Sequence, residues 1–406
     1  MLKLDGKYGS AKVFTNNIDN ETVSQIIQLL NQPFVKESRI RVMPDCHAGK
    51  GCVIGFTADL GEKVIPSLVG VDIGCGVITV KLGNINIDLE KLDDVINSFI
   101  PSGYSVHENK VASFQGLKNL HCYERIKDKE RIERSIGTLG GGNHFIEVNK
   151  DKNGEKYIVV HTGSRNLGHQ VANYYQDKAV EQCKGRNEYL KERGTLIKEY
   201  KKSGRQREIS AELLKLEEIY KKAHPDYPED LCFLTGESKR AYLHDMEICQ
   251  EYASLNRETI MNIILEEMFN MDLGNYEYFH TVHNYINFKD NIIRKGAISA
   301  YENERLLIPI NMRDGSILAV GKGNPDWNYS APHGAGRIMS RNVAKNNISL
   351  EEFQESMRGI YTTSVKKSTI DEAPMAYKKI DEIIKNTKDT IKIIDIIKPI
   401  YNFKAH

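Results

Sequence analysis

An α+β fold is predicted for this chain of 406 residues, with mixed β-sheets at the centre, helices packed around them, and a charged helical hairpin standing off a single body. Three observations carry that expectation. Short apolar runs punctuated by glycine fill residues 40–82, 157–163 and 278–322, as in strands joined by tight turns. Apolar residues at helical spacing lie between and after those runs. Residues 183–222 hold twelve Lys/Arg and seven Glu, a local net of +5 that suits a solvated hairpin.

Residues 1–40 open with a short strand region. A helix follows Asn20, where Val23, Ile26, Ile27, Leu29 and Leu30 recur at helical spacing. The runs IRVMP, CVIGF, SLVGV and VITVKL then read as strands. Residues 88–100 read as a helix. GGGNHFIEV leads into a strand, YIVVHTG is another, and a helix starts near Gly168. Within 183–222, Leu190, Ile197 and Tyr200, then Leu213, Leu216 and Ile219, keep helical spacing on either side of a break at Ser203-Gly204. A further helix spans about 237–269. FHTVHNYINF, RKGAISA, RLLIPI and SILAVG return to strand character, helices cover 349–358 and 376–388, and the apolar tail IKIIDIIKPIYNFKAH is packed. No repeat, low-complexity tract or Pro/Ser-rich linker divides the chain.

Composition narrows the function classes. Charges almost cancel, 56 Lys+Arg against 55 Asp+Glu. That excludes a broadly basic coat or an acidic tail but leaves room for a local basic groove. No run nears the roughly 18 apolar residues of a membrane span. The start, MLKLDGKYGSAKVF, has no apolar signal core, so a cytoplasmic protein is expected. Seven cysteines without framework spacing fit a reducing compartment and leave thiols available for chemistry. Glycine is ordinary in number but not in placement: 20 of 31 fall in the windows 49–83, 137–168 and 315–336.

Those windows hold Asp72, Cys75, His144, His161 and His333. MPDCHAGKG (43–51), GVDIGCGV (70–77), GTLGGGNHFIE (137–147), HTGSRNLGH (161–169) and PHGAGR (332–337) pair glycine with ligand-type side chains, and HTVHN (280–284) has the ligands without the glycine. Asp72 and Cys75, three apart on a glycine-flanked loop, can share one cation. His144, His161 and His283 each sit at the edge of an apolar run, where a neutral imidazole can point into a cleft. An Asp/Cys/His set suits a borderline divalent ion such as Zn, Fe, Co or Mn. The amides of Gly140-Gly141-Gly142-Asn143 can form an anion nest. His333 and Arg337, four apart, combine an imidazole that can act as base or nucleophile toward phosphorus with a bidentate phosphate ligand.

Taken in order, MPDCHAGKG, VGVDIGCGV, GTLGGGNHFIEV, HTGSRNLGHQ, ASLNR, HNY, RKGA, GNP, APHGAGR followed by IMSR, PMAYKKID and Lys404 make the chain similar to the RtcB family of RNA-splicing ligases over nearly its whole length. The resemblance implies two manganese ions. Cys75 would bridge them, Asp72 and His144 would complete one ion's protein ligands, and His161 and His283 the other's. It implies that His333 takes GMP from GTP as a phosphoramidate. Asn143 and Arg337 would hold phosphates, and Glu147, Tyr377 and Lys404 would contact guanine. Asp45, Arg165, Asn284 and Lys295 lie in motifs that line the RNA-end side in relatives. The implied reaction opens a 2′,3′-cyclic phosphate end to a 3′-phosphate, caps it with GMP, and joins it to a 5′-hydroxyl end, in RNA repair or tRNA splicing. A monomer without membrane association is expected.

Three departures from the family pattern accompany the match. The segment after RKGA reads IPINMRDGS, which puts Asn311, Arg313 and Asp314 into a turn near the nucleotide. Ser330-Ala331-Pro332 precedes the histidine, and Asn166 follows Ser164-Arg165. They suggest a divergent paralogue with its chemistry intact. The alternative is a metal-dependent phosphodiesterase or phosphatase that acts on RNA ends without ligation.

Overall fold

The computed structural model describes residues 1–59 and 61–405. Two large antiparallel-rich sheets and a small two-stranded one form its centre. The six-stranded sheet uses β1 (Leu2–Asp5), β2 (Ser10–Val13), β3 (Ile40–His47) and β4 (Ile54–Ala58), followed in space by β10 (Ile293–Lys295) and β9 (Asn284–Ile286). The seven-stranded sheet runs β12 (Arg305–Asn311), β13 (Gly315–Gly321), β15 (Ile391–Lys404), β6 (Phe145–Lys150), β7 (Lys156–Thr162), β5 (Gly76–Gly83) and β8 (Glu277–Val282). The third sheet pairs β11 (Ala297–Ser299) with β14 (Ser330–Pro332). The mixed α+β class read from the sequence is what the chain adopts.

Helices cover the sheets. They are α1 (Asn20–Leu30), α2 (Leu89–Phe99), α3 (Lys129–Arg134), α4 (Arg165–Lys184), α5 (Arg186–Lys202), α6 (Ile209–Ala223), α7 (Gly236–Phe269), α8 (Arg341–Asn347), α9 (Leu350–Ser356) and α10 (Ile380–Asn386). Strand periodicity decides which face each side chain takes. Ile78, Val80, Ile146, Val148, Ile158 and Val160 turn one way and share a core with Ile260, Ile264 and Leu265 of α7. Their neighbours Val77, Phe145 and Val159 turn the other way and pack with Leu307 and Leu318. The seven-stranded sheet is therefore buried on both faces at its middle. The second large core lies under the six-stranded sheet, α1 and α4.

Sequence expectations meet four adjustments. The SLVGV run forms no strand, because Pro66 starts a 3₁₀ turn over Pro66–Leu68 and Gly70 takes φ +100°. The helix expected near Gly168 begins at Arg165, where the Ser164 amide donates to Asp72 Oδ1 at 3.1 Å and so places a carboxylate at the helix start. The helix expected from 376 begins at Ile380, since Pro374–Ala376 form a separate 3₁₀ turn. The packed tail is a strand of 14 residues in the middle of the seven-stranded sheet.

The hairpin of residues 183–222 resolves into α5 and α6, with the turn at Ser203-Gly204 followed by a 3₁₀ segment. Neither helix contains a buried residue. The pair is held by contacts such as Tyr189 against Tyr220, with ring centroids 5.3 Å apart. No helix among the described residues is long and apolar enough to cross a membrane.

Candidate active site

Antiparallel pairing brings five strand ends to one edge of the seven-stranded sheet. The starts of β5 and β6 meet the ends of β7, β8 and β15, through Val77 opposite His161, Phe145 opposite His161, Gly76 opposite Val282 and Lys404 opposite Phe145. Cys75 immediately precedes β5 and His144 precedes β6. His161 is the penultimate residue of β7. His283 alone separates β8 from β9, where the chain leaves one large sheet for the other. Its amide donates to Cys75 O at 2.9 Å, which ties that junction to the glycine loop.

Two groups of ligand-type side chains result, Asp72/Cys75/His144 and Cys75/His161/His283, with the ligand atoms of each group within 4.8 Å of one another. Cys75 belongs to both. Its Sγ lies 3.3 Å from His161 Nε2 and 3.6 Å from His144 Nε2, and His144 Nε2 is 3.2 Å from Asp72 Oδ2. His144 Nδ1 faces Leu139 O at 2.8 Å and His161 Nδ1 faces Asn143 O at 3.3 Å. A Nδ1–H donated to a carbonyl leaves the Nε2 lone pair for the cleft, the outer-shell arrangement typical of metal-binding imidazoles. Burial, reinforced by neighbouring imidazoles, holds His161 and His283 far below the usual histidine range, so both are neutral. Burial and the Asp72 charge push the Cys75 thiol far up. For Asp72 burial acts upward, but hydrogen bonding and charge from His144, with Arg165 beyond, keep it below the ordinary carboxyl range. Such a set of anionic oxygen, neutral nitrogen and sulfur fits two borderline divalent cations, and their charge is what a buried thiol needs to become a thiolate ligand.

His333 faces this set from the end of β14, its ring centroid 4.9 Å from that of His283. Behind it lies Asp45, wholly buried, whose Oδ2 accepts from His333 Nδ1 at 2.7 Å and from the amides of His333 and Gly334 at 3.1 and 3.2 Å. In the neutral ring the contact fixes the tautomer, with the proton on Nδ1 and the lone pair on Nε2. Gly336 is required by the same approach, because a Cβ there would sit 2.1 Å from Asp45 O and φ is +76°. His47, at the end of the same irregular strand, also lines the cleft, with Nδ1 3.1 Å from Asp45 O.

The cleft has a volume of about 310 Å³, in the range of small-molecule pockets (roughly 300–1,000 Å³). One side is the cation set. The other is a charged wall of Arg337, Arg341, Glu372, Tyr377 and Lys404. Glu372 organises it: it pairs with Lys404 at 3.0 Å, Arg341 at 3.2 Å and Arg337 at 3.3 Å, and accepts from Tyr377 Oη at 2.7 Å. For Glu372 burial acts upward, yet those cations hold its carboxyl below the ordinary range. Glu147 lies deeper. Burial pushes its carboxyl up to about 7, with Lys404 acting against that.

Most residues singled out in the sequence meet in this cleft. Asp72, Cys75, Asn143, Glu147, His161, His283, Asn284, His333, Arg337, Tyr377 and Lys404 line it, and His144 touches it through Cys75 and Asp72. Asn284 is a frame residue, donating to Asp72 O at 3.3 Å and accepting from the Gly296 amide at 2.9 Å. Arg165 lies over the glycine loop, with Nε donating to Thr138 Oγ1 at 3.2 Å. It explains Gly140, where a Cβ would lie 1.6 Å from its guanidinium. Lys295 turns away from the cleft. Its Nζ donates to the carbonyls of Cys52 at 3.0 Å and Ser67 at 2.9 Å, and to Lys50 O. In the IPINMRDGS turn, Asn311 and Met312 reach the cleft, whereas Arg313 is exposed and pairs with Asp314 at 2.9 Å. Sequence reasoning missed Glu372, Arg341 and His47. A lone acid such as Glu372 among 55 Asp and Glu gives no signal of its own, though Arg341 closes the IMSR string and His47 sits inside MPDCHAGKG, which were the available signals.

A family model described as tRNA-splicing ligase RtcB matches residues 25–125 and 118–405. The chain belongs to the RtcB family. It is 27% identical to the RNA-splicing ligase RtcB of Escherichia coli, over 96% of this chain and 95% of that protein. Similarity reaches archaeal tRNA-splicing ligases RtcB as well: 27% identity for Aeropyrum pernix, over 84% of this chain and 82% of that protein, and 26% for Nanoarchaeum equitans, over 98% and 94%. The family match takes in the whole seven-stranded sheet, the six-stranded sheet apart from β1 and β2, and every segment that lines the cleft.

Proposed function

We propose that this chain is an RNA ligase that uses GTP and Mn²⁺ to join a 3′-phosphate or 2′,3′-cyclic phosphate end to a 5′-hydroxyl end. The observation that carries the reading is the Asp45–His333 contact, which leaves a nucleophilic Nε2 lone pair beside the paired cation groups. Asp72, Cys75 and His144 would hold one ion and Cys75, His161 and His283 the other, and the ions would supply charge neutralisation at the phosphates. His333 Nε2 attacks the α-phosphorus of GTP. A P–N bond forms, the P–O bond to pyrophosphate breaks, and pyrophosphate leaves. Arg337 stabilises charge developing on the phosphoryl oxygens. Glu147, Tyr377 and Lys404 hold the guanine, and Asn143 a phosphate. The RNA 3′-phosphate then takes GMP from His333, and the 5′-hydroxyl displaces GMP to form the phosphodiester. Asp45 holds the proton on Nδ1 throughout. Asn284 and Arg165 frame the RNA-end side, and Lys295 supports it from beneath. The basic α5–α6 hairpin contacts the RNA body through phosphate charge.

The test uses α-labelled GTP with Mn²⁺ and the full chain. Acid-labile label on the protein, absent from His333→Ala, is expected together with joining of the RNA ends. Absence of label with opening of cyclic phosphates would replace this reading by a phosphodiesterase, which the Asn311–Met312 side of the cleft would then explain.

A further inference from the structure

The ASLNR segment belongs to α7 and does not line the cleft, yet it supplies Arg257, which with Arg294 is one of the two largest wholly buried side chains among the described residues. Its neighbour Asn256 is also fully buried. Two consecutive polar residues inside a helix are costly to bury unless their hydrogen bonds are made elsewhere. Here they are made to the loops that carry the cation ligands.

Arg257 Nη1 donates to Gly74 O at 2.7 Å and to Thr162 O at 3.1 Å. Gly74 precedes Cys75, and Thr162 follows His161. One guanidinium nitrogen therefore spans the β5 and β7 ends, and Nε donates to His280 Nδ1 at 3.3 Å on β8. Asn256 serves the other group. Its Oδ1 accepts from the amides of Gly137 and Thr138 at 2.8 and 3.1 Å. Its Nδ2 reaches Thr138 O at 3.2 Å, Gly163 O at 3.1 Å and Thr162 Oγ1 at 3.3 Å. The Thr162 hydroxyl donates in turn to Leu139 O at 2.8 Å, the carbonyl that also meets His144 Nδ1. A continuous chain of bonds thus runs from Asn256 to the His144 ring.

We propose that Asn256 and Arg257 are positioning residues that fix the spacing between the two cation groups, so that the paired site is already formed before ions bind. The inference rests on the two-cation reading above. Arg257 sets Cys75 against His161, and Asn256 sets the His144 loop against the same strand end. Lysine at 257 retains charge but, with a single nitrogen, cannot donate to the two carbonyls and to His280 Nδ1 together as the guanidinium does. Valine at 162 retains shape but loses the link to Leu139.

The experiment is equilibrium binding of Mn²⁺ alone and of Co²⁺ alone to the full chain, with Co²⁺ absorption reporting thiolate ligation and the melting temperature of the metal-free protein read alongside. Wild type should bind two ions. Arg257→Lys and Thr162→Val should melt near wild type without metal but bind at least one ion about 10- to 100-fold more weakly, with an altered Co²⁺ spectrum. Two ions bound with wild-type affinity and spectrum in both variants would overturn the inference while leaving the two-cation reading intact. Variants that are destabilised but bind ions as wild type does would overturn it in the same way. Should Arg257→Lys not fold, Thr162→Val decides alone by the same criterion. A wild-type chain that takes up no ion would overturn the two-cation reading, and this inference with it.

Discussion

The cleft and the α5–α6 hairpin are both rich in charge, and they use it in opposite ways. In the cleft, Glu372 and Lys404 pair with side chains 3% and 8% exposed, inside a network that includes Arg337, Arg341 and Tyr377. On the hairpin, Arg205 and Glu208 pair with side chains 52% and 51% exposed. Exposed pairs of that kind contribute roughly 0–1 kcal/mol. Breaking a buried one leaves an uncompensated charge and costs about 3–5 kcal/mol. Charged residues in the cleft are thus fixed in position by their neighbours, whereas those of the hairpin are free to meet a polyanion.

The contrast can be tested from its strongest point downward. Asp45→Asn should slow guanylylation of His333 by about 10²- to 10⁴-fold at saturating GTP, because the amide no longer enforces the Nδ1–H tautomer. A rate within threefold of wild type would detach Asp45 from the chemistry. Glu147 offers a pH test. Its folded value of about 7 stands above the ordinary carboxyl value of 4.5, so the folded state binds the proton more tightly than the unfolded one. Stability from this group is fully present below pH 4.5 and is lost as pH rises through 7, by on the order of 3 kcal/mol. Glu147→Gln should flatten that part of the stability curve, as measured by urea unfolding at several pH values. The smallest effect belongs to the hairpin. Replacing Lys198, Lys201 and Lys202 together by Gln should change unfolding free energy by no more than about 0.5 kcal/mol per site. The same variant should lower the slope of log RNA affinity against log salt by about two to three. An unchanged slope would remove the hairpin from RNA contact.

Much of this was legible in the sequence because the site is built at strand ends. A ligand at the edge of an apolar run, next to glycine, is visible without coordinates, and Asp72, Cys75, His144, His161, His283 and His333 all have much of that form. What stayed hidden depends on long-range pairing. Lys295 sits in a motif with cleft residues, yet a one-residue step along β10 turns its side chain to the carbonyls of residues 50, 52 and 67. Glu372 acquires its full set of partners only when Arg337, 35 residues earlier, and Lys404, 32 residues later, fold against it. Arg257 stands in the ASLNR string, but its partners on the β5 and β7 ends are set only when α7 packs against the sheet end. The shifted element boundaries share a cause as well. Proline-led 3₁₀ turns and a carboxylate donated from 92 residues away move an element's start without altering its periodicity.

Chain order gives the C-terminal strand a consequence for synthesis. β15 is the last of the seven strands to leave the ribosome, yet it sits third from one edge, between β13 and β6. Until it arrives, no strand ladder joins the β12–β13 hairpin to the β6–β7–β5–β8 block, and Lys404 is missing from the charged wall. A nascent chain can thus place Asp72, Cys75, His144, His161 and His283 early and still lack one member of the charged wall. The two halves of the sheet are joined in one step, when residues 391–404 pair with β13 on one side and β6 on the other.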